Sequence, residues 1–177
     1  MNPLSHILSN KEQRLFKDLL TALSLVLDLA LDQKQQHSLR VAVACVQVGA
    51  AAGLPAGVLR DLFYAGLLHE IGEIGLMDDI DEIGELTQLQ EEKDGMAALS
   101  KHPKVGARIV AMIPSLSEAA QIILYQHERF NGTGFPNHLK GEQIPIASQV
   151  LAICNAVDSL AYGTGPLDQT AGSADNF

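Results

Sequence analysis

The sequence predicts an all-α fold, a helical bundle, on three observations. Apolar residues recur every three or four positions through most of the chain, Ser, Gly and Pro punctuate the ends of those runs, and no stretch alternates apolar and polar residues as a half-buried strand does. The first helix is announced by Ser9-Asn10-Lys11-Glu12, a capping-box pattern, and continues through Leu15, Leu19, Leu23, Val26, Leu27 and Ala30 as its apolar face. A second is expected from about His37 to Ala52, stopped by Gly53, with Leu54-Pro55 opening the next. The third, about Val58 to Glu70, carries Leu59, Leu62, Phe63, Gly66 and Leu67 on one face and ends at Gly72 and Gly75. Met77 to Asp94 holds eight acids against Lys93 alone and reads as a solvated surface excursion. Further helices are expected after Pro103 and at Pro114-Ser115-Leu116-Ser117-Glu118, a second capping box. Asn131 to Pro145 is a Gly- and Pro-rich loop, and a last helix covers about Ile146 to Ala161. The predicted organisation is one helical domain over residues 1–162 and a flexible tail over 163–177.

Composition narrows the function classes. The 177 residues fit one domain, and 12 Lys+Arg against 21 Asp+Glu leave a net charge of −9. Such an acidic surface offers no footprint for the phosphates of DNA or an anionic membrane face, so neither is an expected partner. Cys45 and Cys154 are too few for a disulfide framework. No cationic start followed by an apolar block opens the chain, and the longest greasy run, Leu19 to Leu31, is 13 residues long and interrupted by Asp28. A cytoplasmic protein is expected.

Six histidines stand at positions 6, 37, 69, 102, 127 and 138. His6 and His138 lie among polar or turn residues and read as solvent-exposed. The other four each fall at a predicted helix terminus, where the ends of antiparallel helices converge. His69-Glu70 places an imidazole nitrogen beside a carboxylate, a donor pair suited to a hard or borderline divalent ion. His127-Glu128 ends another helix just before Gly132-Thr133-Gly134-Phe135-Pro136.

His37, His69-Glu70-Ile71-Gly72, His102-Pro103, the run Gln126-His127-Glu128-Arg129-Phe130-Asn131-Gly132-Thr133-Gly134-Phe135-Pro136 and the run Leu139-Lys140-Gly141-Glu142-Gln143-Ile144-Pro145 closely resemble the HD-GYP family. That family is a branch of the HD metal-dependent phosphohydrolases and hydrolyses cyclic-di-GMP. The resemblance runs from about residue 33 to 160 and implies the helical HD core. It also implies a divalent metal centre of Fe, Mn or Zn, with ligand positions at 33, 37, 69, 70, 102, 126, 127 and 155.

Several of those positions depart from the family pattern. His37, His69, His102 and His127 are kept, and Glu70 replaces Asp. Gln33, Gln126 and Asn155 are amides where the family has two acids and a histidine. Of three acidic ligand positions only Glu70 still carries charge, so at most one tightly bound ion is expected, because a two-metal site needs anionic bridges. Glu73 stands where a substrate-facing Lys is usual, Asn131 replaces the loop Asp, and Phe135 replaces the motif's Tyr. Asp158 matches the second Asp of the final helix. The resemblance implies catalytic positions at Glu73 and Asp158, and a substrate-binding group of Arg129, Lys104, Asn131 and Phe135.

The expected function is a degenerate HD-GYP-type signalling output domain with an impaired metal centre. It would act by binding cyclic-di-GMP or a related nucleotide, or by docking a signalling protein or an attached receiver domain. The alternative is an active metal-dependent phosphodiesterase.

Overall fold

The computed structural model describes residues 10–33, 36–74 and 101–162, and within them every regular element is a helix. The elements are α1 (Asn10–Ala30), α2 (His37–Ala51), α3 (Ala56–Leu68), the one-turn α4 (Ile71–Ile74), α5 (His102–Ala111), α6 (Ser117–Leu124) and α7 (Ile146–Tyr162). Short 3₁₀ turns at Pro114–Leu116 and Gly141–Gln143 join the later helices. The acidic excursion, the expected tail, His6 and Ser9 of the first capping box lie outside the described residues.

The α2–α3 pair is the centre of the molecule. α2 also packs on α7, α3 on α6, and α6 on α5, while α1 lies across α2 and α3. Val41, Ala42 and Cys45 of α2 meet Leu62 and Ala65 of α3, with Ile123 and Leu151 arriving from α6 and α7; all seven are fully buried. Gly66 permits the close α2–α3 approach, since a Cβ there would lie 2.5 Å from Ala42 Cα. The α2 end follows the expected glycine stop: Gly53 adopts φ 74°, and Leu54 N–H reaches back to Gly49 O at 2.9 Å.

Three local expectations are corrected. On α1 the core face is Leu20, Ser24 and Leu27, whereas Leu15, Leu19, Leu23 and Val26 are exposed. α1 carries leucines on both faces, so spacing alone selects the wrong one. The second capping box does not form, because α6 begins behind a buried Leu116 with no side-chain cap, and residues 114–116 are already in a 3₁₀ turn. The third helix starts at Ala56 and stops at Leu68, leaving His69 and Glu70 in the turn that follows.

No helix among the described residues is long and apolar enough to cross a membrane.

Candidate metal centre

Four helix ends deliver the site. His37 is the first residue of α2, His69 caps the C-terminus of α3, His102 opens α5, and His127 follows α6. The N-terminus of α2 is fixed from another helix. Gln36, at the N-cap, sits at φ 65° and makes no side-chain cap bond. Instead the buried Asp28 carboxylate of α1 accepts Ser38 N–H at 3.2 Å and Ser38 O–H at 2.6 Å. A negative charge here also complements the positive end of the helix.

His37, His69 and Glu70 offer donor atoms within 4.8 Å of one another, and Glu70, Glu73 and His102 form a second such group. The rings of His37 and His69 are 5.3 Å apart, and those of His102 and His127 4.8 Å apart with an Nε2···Nε2 contact of 2.9 Å. His37, His69, Glu70 and His102 are all buried. Three of the sequence-predicted imidazoles, His37, His69 and His102, therefore gather around Glu70, and His127 joins them through His102.

Hydrogen bonds orient the rings. His69 Nδ1–H donates to Gly66 O at 2.8 Å, which leaves Nε2 with its lone pair directed at the site. That Nε2 lies 3.1 Å from Glu70 Oε1 but lacks the alignment of a hydrogen bond, and Glu70 Oε2 is buried without a partner. A divalent ion beside His69 Nε2 and Glu70 Oε2 would give both buried atoms a partner, so the donor set fits such an ion. His37 Nδ1 meets Asp158 Oδ2 at 2.8 Å, and Asp158 is clamped by Arg40 through bonds of 2.7 and 2.8 Å. Arg40 in turn lies over the Tyr162 ring at 4.1 Å.

The charge states follow from burial and neighbours. Burial lowers His37, with the nearby His69 adding to the effect. Burial and then His102 push His127 down to about 3. Burial works against the Glu70 carboxylate, yet His69 beside it outweighs that cost and holds it below the usual range. Burial opposes the charge of His69 too, and Glu70 reverses the balance and raises it. Burial and the Glu70 charge push Glu73 up to about 8, which favours its neutral form near pH 7. Burial also opposes ionisation of Asp158, and the Arg40 hydrogen bond prevails to lower it.

The amide positions are placed as follows. Gln126 is buried, and its Nε2–H donates to the His69 backbone carbonyl at 3.0 Å, with Oε1 left unpartnered. Asn155 Oδ1 on α7 is likewise buried without a partner. Lys104 and Arg129 are exposed. Asn131 is exposed and closes its own turn, accepting Thr133 N–H at 3.0 Å and Thr133 O–H at 2.7 Å. Phe135 lies against the His127 ring at 5.1 Å. Cys154 on α7 and Cys45 on α2 are both buried in the core as free thiols. His138 is exposed, as expected.

Sequence reasoning missed one contributor, Arg40, and the structural roles of two residues it had singled out, Glu128 and Gly72. Arg40 is one helical turn after His37, and that spacing was the available signal. Glu128 is buried and accepts Asn137 N–H at 2.6 Å and Leu139 N–H at 2.9 Å, bracing the loop behind His127. Gly72 packs α4 on α5: a Cβ there would overlap the His102 carbonyl oxygen.

Comparison with known proteins gives this arrangement its family. Residues 2–174 match the family model described as HD domain. The chain belongs to the HD domain family. Among curated relatives, it is 33% identical over 69 residues to a cyclic di-GMP phosphodiesterase of Vibrio cholerae serotype O1, covering 35% of this chain and 14% of that protein. It is 31% identical over 70 residues to the cyclic di-GMP phosphodiesterase response regulator RpfG of Xanthomonas campestris pv. campestris, covering 38% of this chain and 18% of the relative. The match thus takes in less than a fifth of either relative's length. The crystal structure of a cyclic GMP-AMP-specific phosphodiesterase of V. cholerae, V-cGAP3, superposes with a TM-score of 0.67 at 20% identity, covering 89% of this chain and 44% of that one. The HD fold is shared over nearly the whole chain.

Proposed function

We propose that this HD domain is a cyclic-dinucleotide-binding output domain that holds one divalent ion and has lost most or all of the hydrolytic capacity of the phosphodiesterases it resembles. The observation that carries the reading is the charge of the donor set. Among the described residues that could ligate an ion, Glu70 is the one carboxylate held ionised and not already clamped, as Asp158 is by Arg40; Glu73 is pushed toward its neutral form, and positions 126 and 155 are amides. Two divalent ions about 4 Å apart repel by on the order of 15 kcal/mol at an effective dielectric of about 20. With a single carboxylate two divalent ions would leave a net charge of +3 to bury, and the cost of desolvating that charge favours one ion.

His37, His69 and Glu70 would hold the ion, with His102 and His127 on its other side. When bound, a divalent ion supplies Lewis-acid activation of water and neutralises charge on a phosphoryl group. The chain's own groups do the rest. Asp158, held by Arg40, fixes the His37 ring, and Gly66 O fixes His69. Lys104 and Arg129 provide cations for a phosphodiester, Arg129 with a fork that suits two phosphate oxygens. Phe135 keeps His127 in place and presents an apolar ring to a base, with Asn131 holding the turn between them.

The test is metal analysis of protein purified without chelator, followed by calorimetry and product chromatography with cyclic-di-GMP and with 3′,3′-cyclic GMP-AMP. The expected result is at most one equivalent of Fe, Mn or Zn, measurable nucleotide binding and no linear product. Two ions per chain with sustained turnover would replace this reading by the active phosphodiesterase, and absence of nucleotide binding would leave a protein-docking domain. The combined change Gln126→His, Asn155→Asp and Glu73→Lys is expected to raise both metal content and hydrolysis.

A further inference from the structure

The outer face of α1 is apolar and unpartnered among the described residues. Leu15, Leu19, Ala22, Val26 and Leu29 recur at intervals of four, three, four and three, and all are exposed, Leu29 to 80% and Val26 to 61%. The stripe lies opposite the Leu20–Ser24–Leu27 face by which α1 packs on α2 and α3. Leu23 and Leu25, also exposed, widen it on either side. A four-three repeat is the spacing by which one helix seats its side chains between those of another.

We infer that this face is the contact between two copies of the chain, with their α1 helices antiparallel about a two-fold axis at Ala22. A two-fold contact needs a self-complementary surface, and the stripe is nearly palindromic. With Ala22 on the axis, Leu15 of one copy stands opposite Leu29 of the other, Leu19 opposite Val26, and the small Ala22 residues meet where the helices cross closest. Charge selects the direction. The exposed Lys11, Glu12 and Arg14 at the start of α1 carry a net charge of +1, and the exposed Asp32 lies just beyond its end. Antiparallel pairing brings these opposite charges together at both ends of the seam, whereas parallel pairing sets Lys11 and Arg14 against their own copies. Helix dipoles favour the same direction.

Light scattering on a sizing column and sedimentation equilibrium of the full chain test the contact. The expected species is twice the 19.0 kDa chain mass at micromolar concentration. Leu19→Glu with Val26→Glu is expected to return it to monomer with an unchanged helical spectrum, since both side chains are outside the core. Ala22→Cys is expected to cross-link to itself with a short bis-maleimide. Leu15→Cys is expected to cross-link when mixed with Leu29→Cys but not alone, wild type serving as control for the buried native cysteines. A monomer at all concentrations, or a dimer indifferent to the glutamates, overturns the inference. Leu15→Cys cross-linking to itself as well as to Leu29→Cys overturns the antiparallel arrangement.

Discussion

Glu73 illustrates how one side chain sets the pH response of the centre. Burial and the Glu70 carboxylate push it up to about 8, so the folded chain holds a proton that the unfolded chain releases near its ordinary value of about 4.3. Between those values the folded state binds more protons than the unfolded state, and stability falls as pH rises. In metal-free protein the slope attributable to this group is up to about 1.4 kcal/mol per pH unit. Glu73→Gln is expected to flatten that part of the profile in urea melts from pH 5 to 8. An unchanged slope would mean the carboxyl titrates normally. Asp158 acts through a different group. Its bonds to His37 Nδ1 and Arg40 direct the His37 Nε2 lone pair toward the site. Asp158→Asn is expected to weaken metal binding about 10- to 100-fold, the usual cost of losing such a support. The readouts are metal titration and the His37 ring nitrogen shifts, which report the tautomer, and unaltered affinity with an unaltered tautomer would rule the support out.

At the scale of elements, the start of α2 depends on α1. Asp28 supplies the cap that no residue near Gln36 provides, so Asp28→Ala is expected to cost about 1–2 kcal/mol. It should also loosen His37, visible as faster amide exchange at Ser38 and reduced metal affinity; a loss confined to α1 would contradict the coupling. This cap shows where the sequence stopped being legible. Helices α2, α3 and α7 were readable because their boundaries are written locally, at Gly53, Pro55 and Pro145. The clustering of His37, His69, His102 and His127 was readable from their places at helix ends. The α1 core face was not readable, because leucines at 15, 19, 20, 23, 27 and 29 satisfy helical spacing on two sides. The Asp28 cap, the Arg40–Asp158 clamp and the Glu128 brace were illegible for a common reason: each joins residues from different elements or across a loop, so no window of sequence contains the interaction. The protonation of Glu73 belongs to the same class, since it depends on burial and on a neighbour's charge.

For the molecule as a whole, the centre sits where the ends of α2, α3, α5 and α6 bring their histidines together, with Asp158 of α7 behind His37 and α4 pressed onto α5 at Gly72. A bound ion would therefore tie together segments far apart in sequence, and it binds the folded chain in preference to the unfolded one. The linkage relation gives about 2.7 kcal/mol of added stability when free metal is 100 times its dissociation constant. For a chain of this size each kcal/mol moves the midpoint by about 2–4 °C, so a rise of about 5–10 °C is expected on adding Mn²⁺ or Zn²⁺ to chelator-treated protein. The rise should saturate at one equivalent and be reversed by chelator. Glu70→Gln removes the one ionised donor carboxylate and is expected to abolish the rise, while also relieving the cost of burying that charge in the metal-free protein. A rise that saturates at two equivalents would show that four imidazoles and one carboxylate balance more charge than electrostatics allows here, and no rise at all would show that the unpartnered Nε2 of His69 and Oε2 of Glu70 are satisfied by protons instead.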